Sequence, residues 1–118
     1  MFNFEKLEIY QDALALIKDI YRISNQFPQT EQYSLSQQLK RAATSIAINI
    51  AEGNGRSRTD NQNFLRFSRG SLFETVAILQ ICRSLDFLKE EDYLPLYKKS
   101  EILAKRIGSF MNALKRTS

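Results

Sequence analysis

The sequence predicts an all-α protein, an antiparallel up-down-up-down bundle of four helices. Apolar residues recur at helical spacing in four separate stretches, and no stretch alternates apolar with polar residues long enough for a strand. Only four glycines and two prolines interrupt the 118 residues, too few for a sheet protein with many turns. Four helices joined by short connections favour a bundle in which neighbours run antiparallel. The length fits a single domain over residues 1–118.

The first helix is expected to end at Phe27-Pro28, because the residue before proline is pushed out of the helical region. Its core face is expected at three- and four-residue spacing, and consists of Leu7, Tyr10, Ala13, Leu14, Ile17, Ile20 and Tyr21. Ser34 or Ser36 is the expected N-cap of the second helix.

The second helix ends at Gly53, an expected left-handed C-cap. Its apolar face is bordered by a polar seam formed by Gln38, Arg41, Ser45, Asn49 and Glu52. Alanines beside the seam allow other backbones to approach closely. Glu52 lies in the last turn, where the helix dipole disfavours a carboxylate, so we expect a cation from another element to bind it.

The third helix is predicted from a capping box at residues 59–62 to about Leu85. Its expected core stripe is Phe64, Phe67, Ser71, Leu72, Thr75, Ile78, Leu79, Cys82 and Leu85. A second apolar face carries Leu65, Phe73 and Val76, with the small Gly70 beside them. A helix that is apolar on two sides lies in the middle of its bundle or meets another subunit, and with four helices we expect the subunit contact.

After a break at residues 86–89, the fourth helix begins with the acidic residues 90–92. Pro95 is tolerated only in an opening turn, so regular helix is expected from near Tyr93. Its expected core face is Leu96, Leu103, Ile107, Phe110, Met111 and Leu114.

The sequence offers little support for a catalytic site. The sequence contains no histidine, the commonest general base and metal ligand. Gly53 and Gly55 are not followed by the lysine and serine of a phosphate-binding loop. Glu52 and Glu74 could face each other across two helices, but two carboxylates make an incomplete metal site. We therefore expect no catalytic residue, metal or cofactor, and a carboxylate-metal hydrolase is the least favoured alternative.

A reducing compartment is the simplest setting for the single cysteine, Cys82, which is expected to be buried on the third helix. No charged leader followed by an apolar run is present, and no stretch approaches the ~20 apolar residues of a membrane span. We expect a cytoplasmic protein without membrane contact.

Two groups of cations stand out against the formal net charge of +4. One group surrounds the start of the third helix and the other lies along the fourth: Arg56, Arg58, Arg66, Arg69, Lys98, Lys99, Lys105 and Arg106. Such groups bind RNA or DNA phosphates and release counterions, and self-association would repeat them around an axis. The alternatives are solvated faces with local ion pairs, and a protein scaffold that recruits a nucleic-acid enzyme.

The run at residues 38–53, the Gly55-Arg56 pair, Phe64-Leu65 and residues 70–74 together resemble the four-helix-bundle family of bacterial 23S rRNA intervening sequences. The resemblance covers nearly the whole chain. Two departures are Tyr10, where the family often has tryptophan, and Ser68, where alanine is common.

This resemblance implies an antiparallel four-helix bundle that assembles into a homopentamer. A related branch is the accessory protein of diversity-generating retroelements, a basic pentameric barrel that associates with nucleic acid and a reverse transcriptase. The family signature falls on Arg41, Asn49, Glu52 and Gly53 of this chain, and no catalytic role comes with it.

Overall fold

The computed structural model describes residues 1–116, which form a rod of 48 × 22 × 22 Å. Its four helices are α1 (Glu8–Ser24), α2 (Leu35–Gly53), α3 (Arg58–Ser84) and α4 (Glu90–Arg116). Two short 3₁₀ turns, Asn3–Lys6 and Gln29–Glu31, precede α1 and α2.

Each helix packs against the next one in the chain, and α4 packs against α1, which closes an antiparallel four-helix bundle. The predicted fold class is thereby confirmed. The contact between α2 and α3 is the most extensive. Small residues allow this close approach: Ala43 and Ala47 of α2 are buried, and the Ser68 hydroxyl donates a 2.8 Å hydrogen bond to the Ile46 carbonyl.

The core runs the length of the bundle and takes aliphatic residues from every helix. Its fully buried large side chains include Leu16, Ile20, Leu39, Ile46, Ile50, Leu65, Leu72, Leu79, Leu103 and Ile107. Burial of this apolar surface is the main source of the bundle's stability.

The predicted core stripe of α3 is wrong at both ends, since its last residue, Leu85, is 51% exposed. Leu65, expected on the second face, is 1% exposed, whereas Phe67, expected in the core, is 59% exposed. The observed face instead contains buried polar residues, which an apolar pattern does not identify. Gln62 is buried and donates a 2.6 Å hydrogen bond to the Met111 carbonyl, and Ser68 bonds α2 as described above.

The predicted face of α1 is also rotated. Leu14 and Tyr21 are exposed, whereas Ile9, Leu16 and Ile23 are buried. Tyr21 contacts a cation instead of the core, because the ammonium group of Lys40 lies 5.0 Å from the Tyr21 ring centroid.

The helix ends differ from the predicted caps in detail. Ser34 occupies the N-cap position of α2, but its side chain makes no capping hydrogen bond. Ser57, two residues before the expected box, caps α3 and accepts a 3.2 Å hydrogen bond from the Asp60 amide. Pro95 lies inside α4, which begins at Glu90.

Gly53 is not the left-handed C-cap that was predicted. It is the last residue of α2, and the glycine with a positive φ is Gly55, at 88°. Gly53 is needed for space: a Cβ atom there would lie 2.6 Å from Cβ of Phe64. Glycine at this position therefore allows α2 and α3 to meet at the turn between them.

Candidate nucleic-acid interface and oligomer face

Two of the predicted phosphate ligands on α4 are engaged within the chain. Arg106 contacts Asp12 at 2.7 Å and Glu8 at 2.8 Å, and Lys99 forms an ion pair with Asp19. The hydrogen bond that Arg106 donates to Asp12 raises the pKa of its guanidinium above the usual value. Lys99 and Arg106 therefore link α4 to α1, and their prediction as nucleic-acid ligands stays untested.

The other two predicted ligands of α4 form no ion pair with the acids of α1. Lys98 and Lys105 are exposed, and neither forms an ion pair within residues 1–116. They are seven residues apart, so they lie on the same side of α4, about two turns from each other.

Four arginines lie around the start of α3, in different environments. Arg56 donates a 2.8 Å hydrogen bond to the Glu52 carbonyl, and its guanidinium lies 4.9 Å from the Phe64 ring centroid. Arg66 donates a hydrogen bond to the side chain of Asn63. Arg58 is exposed and Arg69 is half-buried, and neither has an ion-pair partner in the described part of the chain.

The signature residues of α2 do not form one cluster. The Asn49 amide donates hydrogen bonds to the Ser45 carbonyl and hydroxyl at 2.8 and 3.0 Å, and Ser71 of α3 bonds the same hydroxyl at 2.9 Å. Arg41 and Glu52 are exposed. The expected cation for Glu52 is not found among residues 1–116, since no ion pair involves its carboxylate.

An open apolar groove runs between α3 and α4. Its volume is about 330 Å³, and it is lined by Leu72, Phe73, Val76, Ala77, Gln80, Tyr97, Ser100, Glu101 and Ala104. Phe73 is 58% exposed, and in the described part of the chain no atom beyond the surrounding helix backbone lies within 4 Å of the position that a Cβ on Gly70 would take. Of the predicted oligomer face, Gly70, Phe73 and Val76 are thus available at or beside the groove, and the buried Leu65 is not.

The described residues contain neither a metal-binding group nor a membrane span. No group of three or more His, Cys, Asp or Glu side chains within residues 1–116 could hold a metal ion. Glu52 and Glu74 are both exposed. Over the same residues, none of the helices has the length and apolar character of a membrane span.

The sequence matches the family described as 23S rRNA-intervening sequence protein over residues 5–109, which include all of α1, α2 and α3. The chain belongs to this family. A crystal structure from Bacteroides thetaiotaomicron VPI-5482, described as a protein with unknown function from the S23 ribosomal protein family, is similar to it with a TM-score of 0.80. The two share 23% sequence identity, and the match covers 87% of this chain and 97% of the other. A comparison with curated proteins gives no match.

This member of the 23S rRNA-intervening sequence protein family contains contacts that the apolar pattern did not indicate. The pairs between α1 and α4 carry a sequence signal, because Asp12 and Asp19 have the same spacing of seven residues as Lys99 and Arg106. Acids and bases at equal spacing face each other when two helices run antiparallel. No comparable signal marks the Arg56 and Phe64 contact, which depends on the turn between α2 and α3.

Proposed function

We propose that this 23S rRNA-intervening sequence protein is a non-enzymatic bundle that self-associates and binds RNA or DNA phosphates through repeated basic patches. The observation that carries the proposal is that cations without ion-pair partners and the open apolar groove lie on the same two helices. The cations without ion-pair partners in residues 1–116 include Arg58 and Arg69 of α3 and Lys98 and Lys105 of α4. The helices α3 and α4 also border the open apolar groove.

Self-association would cover the groove, and it would raise the local density of positive charge. Phe73 is a large apolar side chain near Gly70, and within residues 1–116 a Cβ at Gly70 would meet no atom within 4 Å apart from its own stretch of helix. A second copy that approaches there would bury both, in a closed ring such as the homopentamer implied by the resemblance. Each added copy brings its own net charge of +4.

The state of association is tested by light scattering. We expect a mass of several subunits for the wild type and a lower mass for Phe73→Asp, because a carboxylate on an apolar contact is costly to desolvate. The matched control is Ile102→Asp, which places the same charge at an exposed residue outside the groove. A single subunit for the wild type at working concentration would overturn the assembly part of the proposal.

Nucleic-acid binding is tested by titration of labelled RNA and DNA over a range of salt concentrations. We expect the logarithm of the association constant to fall linearly with the logarithm of salt concentration. The double variant Arg58→Gln and Arg69→Gln should reduce the magnitude of that slope by about 0.7 to 0.9 for each phosphate that the protein no longer neutralises.

The control for this titration removes the same charge from a different surface. Lys18→Gln with Arg22→Gln also lowers the net charge by two, but both residues lie on α1. Equal effects of the two double variants would indicate attraction by overall charge alone. No binding of RNA or DNA at low salt would reject the function.

A protein scaffold is the second candidate, and the apolar groove is the observation that favours it. A scaffold would bind a protein partner in the groove and show no salt-dependent affinity for nucleic acid. Capture of a reverse transcriptase or another nucleic-acid enzyme that is lost with Phe73→Asp, in a protein that binds no RNA or DNA itself, would select this function.

A further inference from the structure

The turn between α2 and α3 contains the only Asn-Gly pair of the sequence, Asn54-Gly55. The Arg56 amide donates a 3.2 Å hydrogen bond to the Gly53 carbonyl, which closes the turn. The φ and ψ of Asn54 are −68° and 133°, and the φ of Gly55 is 88°. These are the angles of a type II turn, whose third position favours glycine. Asn54 and Gly55 are thus the two central residues of the turn.

Neither the Gly55 amide nor the Asn54 side chain is held by the rest of the bundle. Within residues 1–116 the Gly55 amide donates no hydrogen bond, and a Cβ on Gly55 would meet no atom within 4 Å beyond its chain neighbours. The Asn54 side-chain oxygen accepts one hydrogen bond, from Asn3 at 3.4 Å. A bond of that length is weak. Both groups are therefore free to turn towards each other.

The Gly55 nitrogen reaches Cγ of Asn54 when the peptide that joins the two residues rotates. A five-membered ring forms when this nitrogen eclipses the Asn54 Cβ about the Cα–C bond, and at a ψ of 133° it does not. Turns of type I and type II differ by a flip of this peptide and share the same closing hydrogen bond. One direction of the flip passes through the eclipsed position. Glycine permits the flip because it adopts positive and negative φ with similar ease.

We propose that Asn54 is a site of spontaneous deamidation in the folded protein. Every other asparagine of the sequence precedes a residue with a side chain, which hinders the approach of the backbone nitrogen. Most of them also lie inside helices, where hydrogen bonds fix the peptide: Asn49, Asn61, Asn63 and Asn112. This inference goes beyond the proposed function and does not depend on nucleic-acid binding.

The reaction replaces the side-chain amide of Asn54 by a carboxylate. The Gly55 nitrogen gives its proton to hydroxide and bonds to Cγ of Asn54, and the side-chain nitrogen takes a proton from water and leaves as ammonia. Water then opens the five-membered imide at one of its two carbonyl carbons. Opening at Cγ gives aspartate. Opening at the main-chain carbon gives isoaspartate, in which the chain continues through Cβ and Cγ.

Isoaspartate at position 54 is expected to disturb the contact between α2 and α3. It lengthens the main chain directly after Gly53, where a Cβ would already lie 2.6 Å from Cβ of Phe64. Either product also places a negative charge just beyond the C-terminal end of α2, where the helix dipole disfavours it. The net charge of the chain falls from +4 to +3.

The test incubates the purified full chain at several pH values and maps the modified residue by mass spectrometry. Trypsin cleavage after Arg41 and Arg56 releases residues 42–56, a peptide that contains both Asn49 and Asn54. We expect conversion of amide to acid at Asn54 and none at Asn49, whose amide is bonded to Ser45 within α2. The rate should rise in proportion to hydroxide concentration, because the Gly55 amide must lose its proton. A sample digested at zero time corrects for deamidation during digestion.

Two variants with the same substitution separate the turn from exposure alone. Asn54→Gln should prevent the reaction, because a longer side chain would have to close a six-membered ring. Asn112→Gln changes an exposed asparagine of α4 and should not alter the reaction. On isoelectric focusing, the wild type and Asn112→Gln should accumulate a form with one positive charge less, and Asn54→Gln should not. Circular dichroism checks that both variants are folded.

The effect on the helix contact is measured by urea denaturation of the isolated isoaspartate form. The matched control is freshly purified Asn54→Asp, which has the same charge and an ordinary main chain. We expect the isoaspartate form to unfold at a lower urea concentration. Equal midpoints would overturn the expected disturbance of the contact.

Two outcomes would overturn the deamidation site itself. One is deamidation of Asn54 in urea but not in the folded protein, which would mean that the turn does not flip. The other is deamidation of Asn49 and Asn54 at equal rates, which would mean that the turn has no influence. Failure of RNA and DNA to bind would reject the proposed function and leave the deamidation site standing.

Discussion

Gly53 at the end of α2 and Phe64 in the second turn of α3 leave no room between them for a side chain, since a methyl group on Gly53 would lie 2.6 Å from Cβ of Phe64. Real Cβ atoms do not approach other carbon atoms so closely. The atom in the way is a Cβ, which moves only if the helix backbone moves. The two helices therefore meet at this point because residue 53 is glycine.

We expect Gly53→Ala to lower the free energy of unfolding by about 1–3 kcal/mol, because the two helix ends must separate to admit the methyl group. Urea denaturation measures the change. Gly108→Ala is the control: among residues 1–116 no atom beyond the surrounding helix backbone lies within 4 Å of its Cβ position, and alanine in a helix interior is favoured over glycine by about 1 kcal/mol. Equal stability of Gly53→Ala and the wild type would contradict the close contact.

Gln62→Ala is expected to destabilise the protein by about 1–2 kcal/mol, because it removes the buried bond to the Met111 carbonyl. Hydrogen exchange should show faster opening near the end of α4. The control is Gln80→Ala, whose amide makes a 3.2 Å bond to the Tyr93 hydroxyl from an exposed position and should cost less. If the amides near the end of α4 exchange at the same rate in both variants, the hydrogen bond between Gln62 and Met111 does not hold α4 in place.

Cys82 should be unreactive in the folded protein. Burial, with a smaller contribution from the charge of Glu31, raises the pKa of its thiol from 9.0 to about 11. At pH 8 a disulfide reagent is therefore expected to label it slowly, and to label it rapidly in urea, because the thiolate is the nucleophile. Rapid labelling without denaturant would show that this part of the core opens readily.

The raised pKa of Cys82 also makes the stability of the protein depend on pH. The folded state holds the thiol proton more tightly than the unfolded chain. The protonated thiol therefore contributes fully to the free energy of unfolding below about pH 9, and this contribution is lost as the pH rises through about 11. Relative to Cys82→Ala, the wild type should lose stability over this interval. A constant difference between the two proteins from pH 8 to pH 11 would contradict the raised pKa.

Glu52→Ala is expected to change the free energy of unfolding by less than about 0.5 kcal/mol, because the carboxylate is exposed and has no ion-pair partner within residues 1–116. The Arg56 hydrogen bond is made to the backbone carbonyl and remains. Thermal unfolding at two protein concentrations measures the effect. A loss above about 1 kcal/mol that grows with protein concentration would place the missing cation on a second copy of the chain.

The fold class could be predicted from the sequence because helix periodicity and chain breaks are local signals. The exact core face could not, since Gln62 and Ser68 are polar and are buried through single hydrogen bonds to other helices. Because these two residues are buried, the core face of α3 differs from the face that its apolar residues predict. Leu65 is buried and Phe67 is exposed, the reverse of the prediction.

The candidate site was predictable in part. The basic residues are visible in the sequence, but which of them are neutralised depends on the neighbouring helix. Lys99 and Arg106 face the acids of α1, whereas Lys98 and Lys105 belong to the same run and do not. The role of Gly53 likewise depends on a residue of the next helix, which no feature of α2 specifies.

The lengths of the helices have a consequence for the connection between α1 and α2. With 27 residues, α3 exceeds the 19 of α2 by about 12 Å at ~1.5 Å per residue, so the α3–α4 hairpin extends past the first two helices. The connection before α2 is held by its own contacts: Phe27 is buried, and Gln32 donates hydrogen bonds to the carbonyls of Ser24 and Phe27. The charge of Glu31 in this connection contributes to the raised pKa of Cys82, so we expect a peptide tag inserted here to speed the labelling of Cys82.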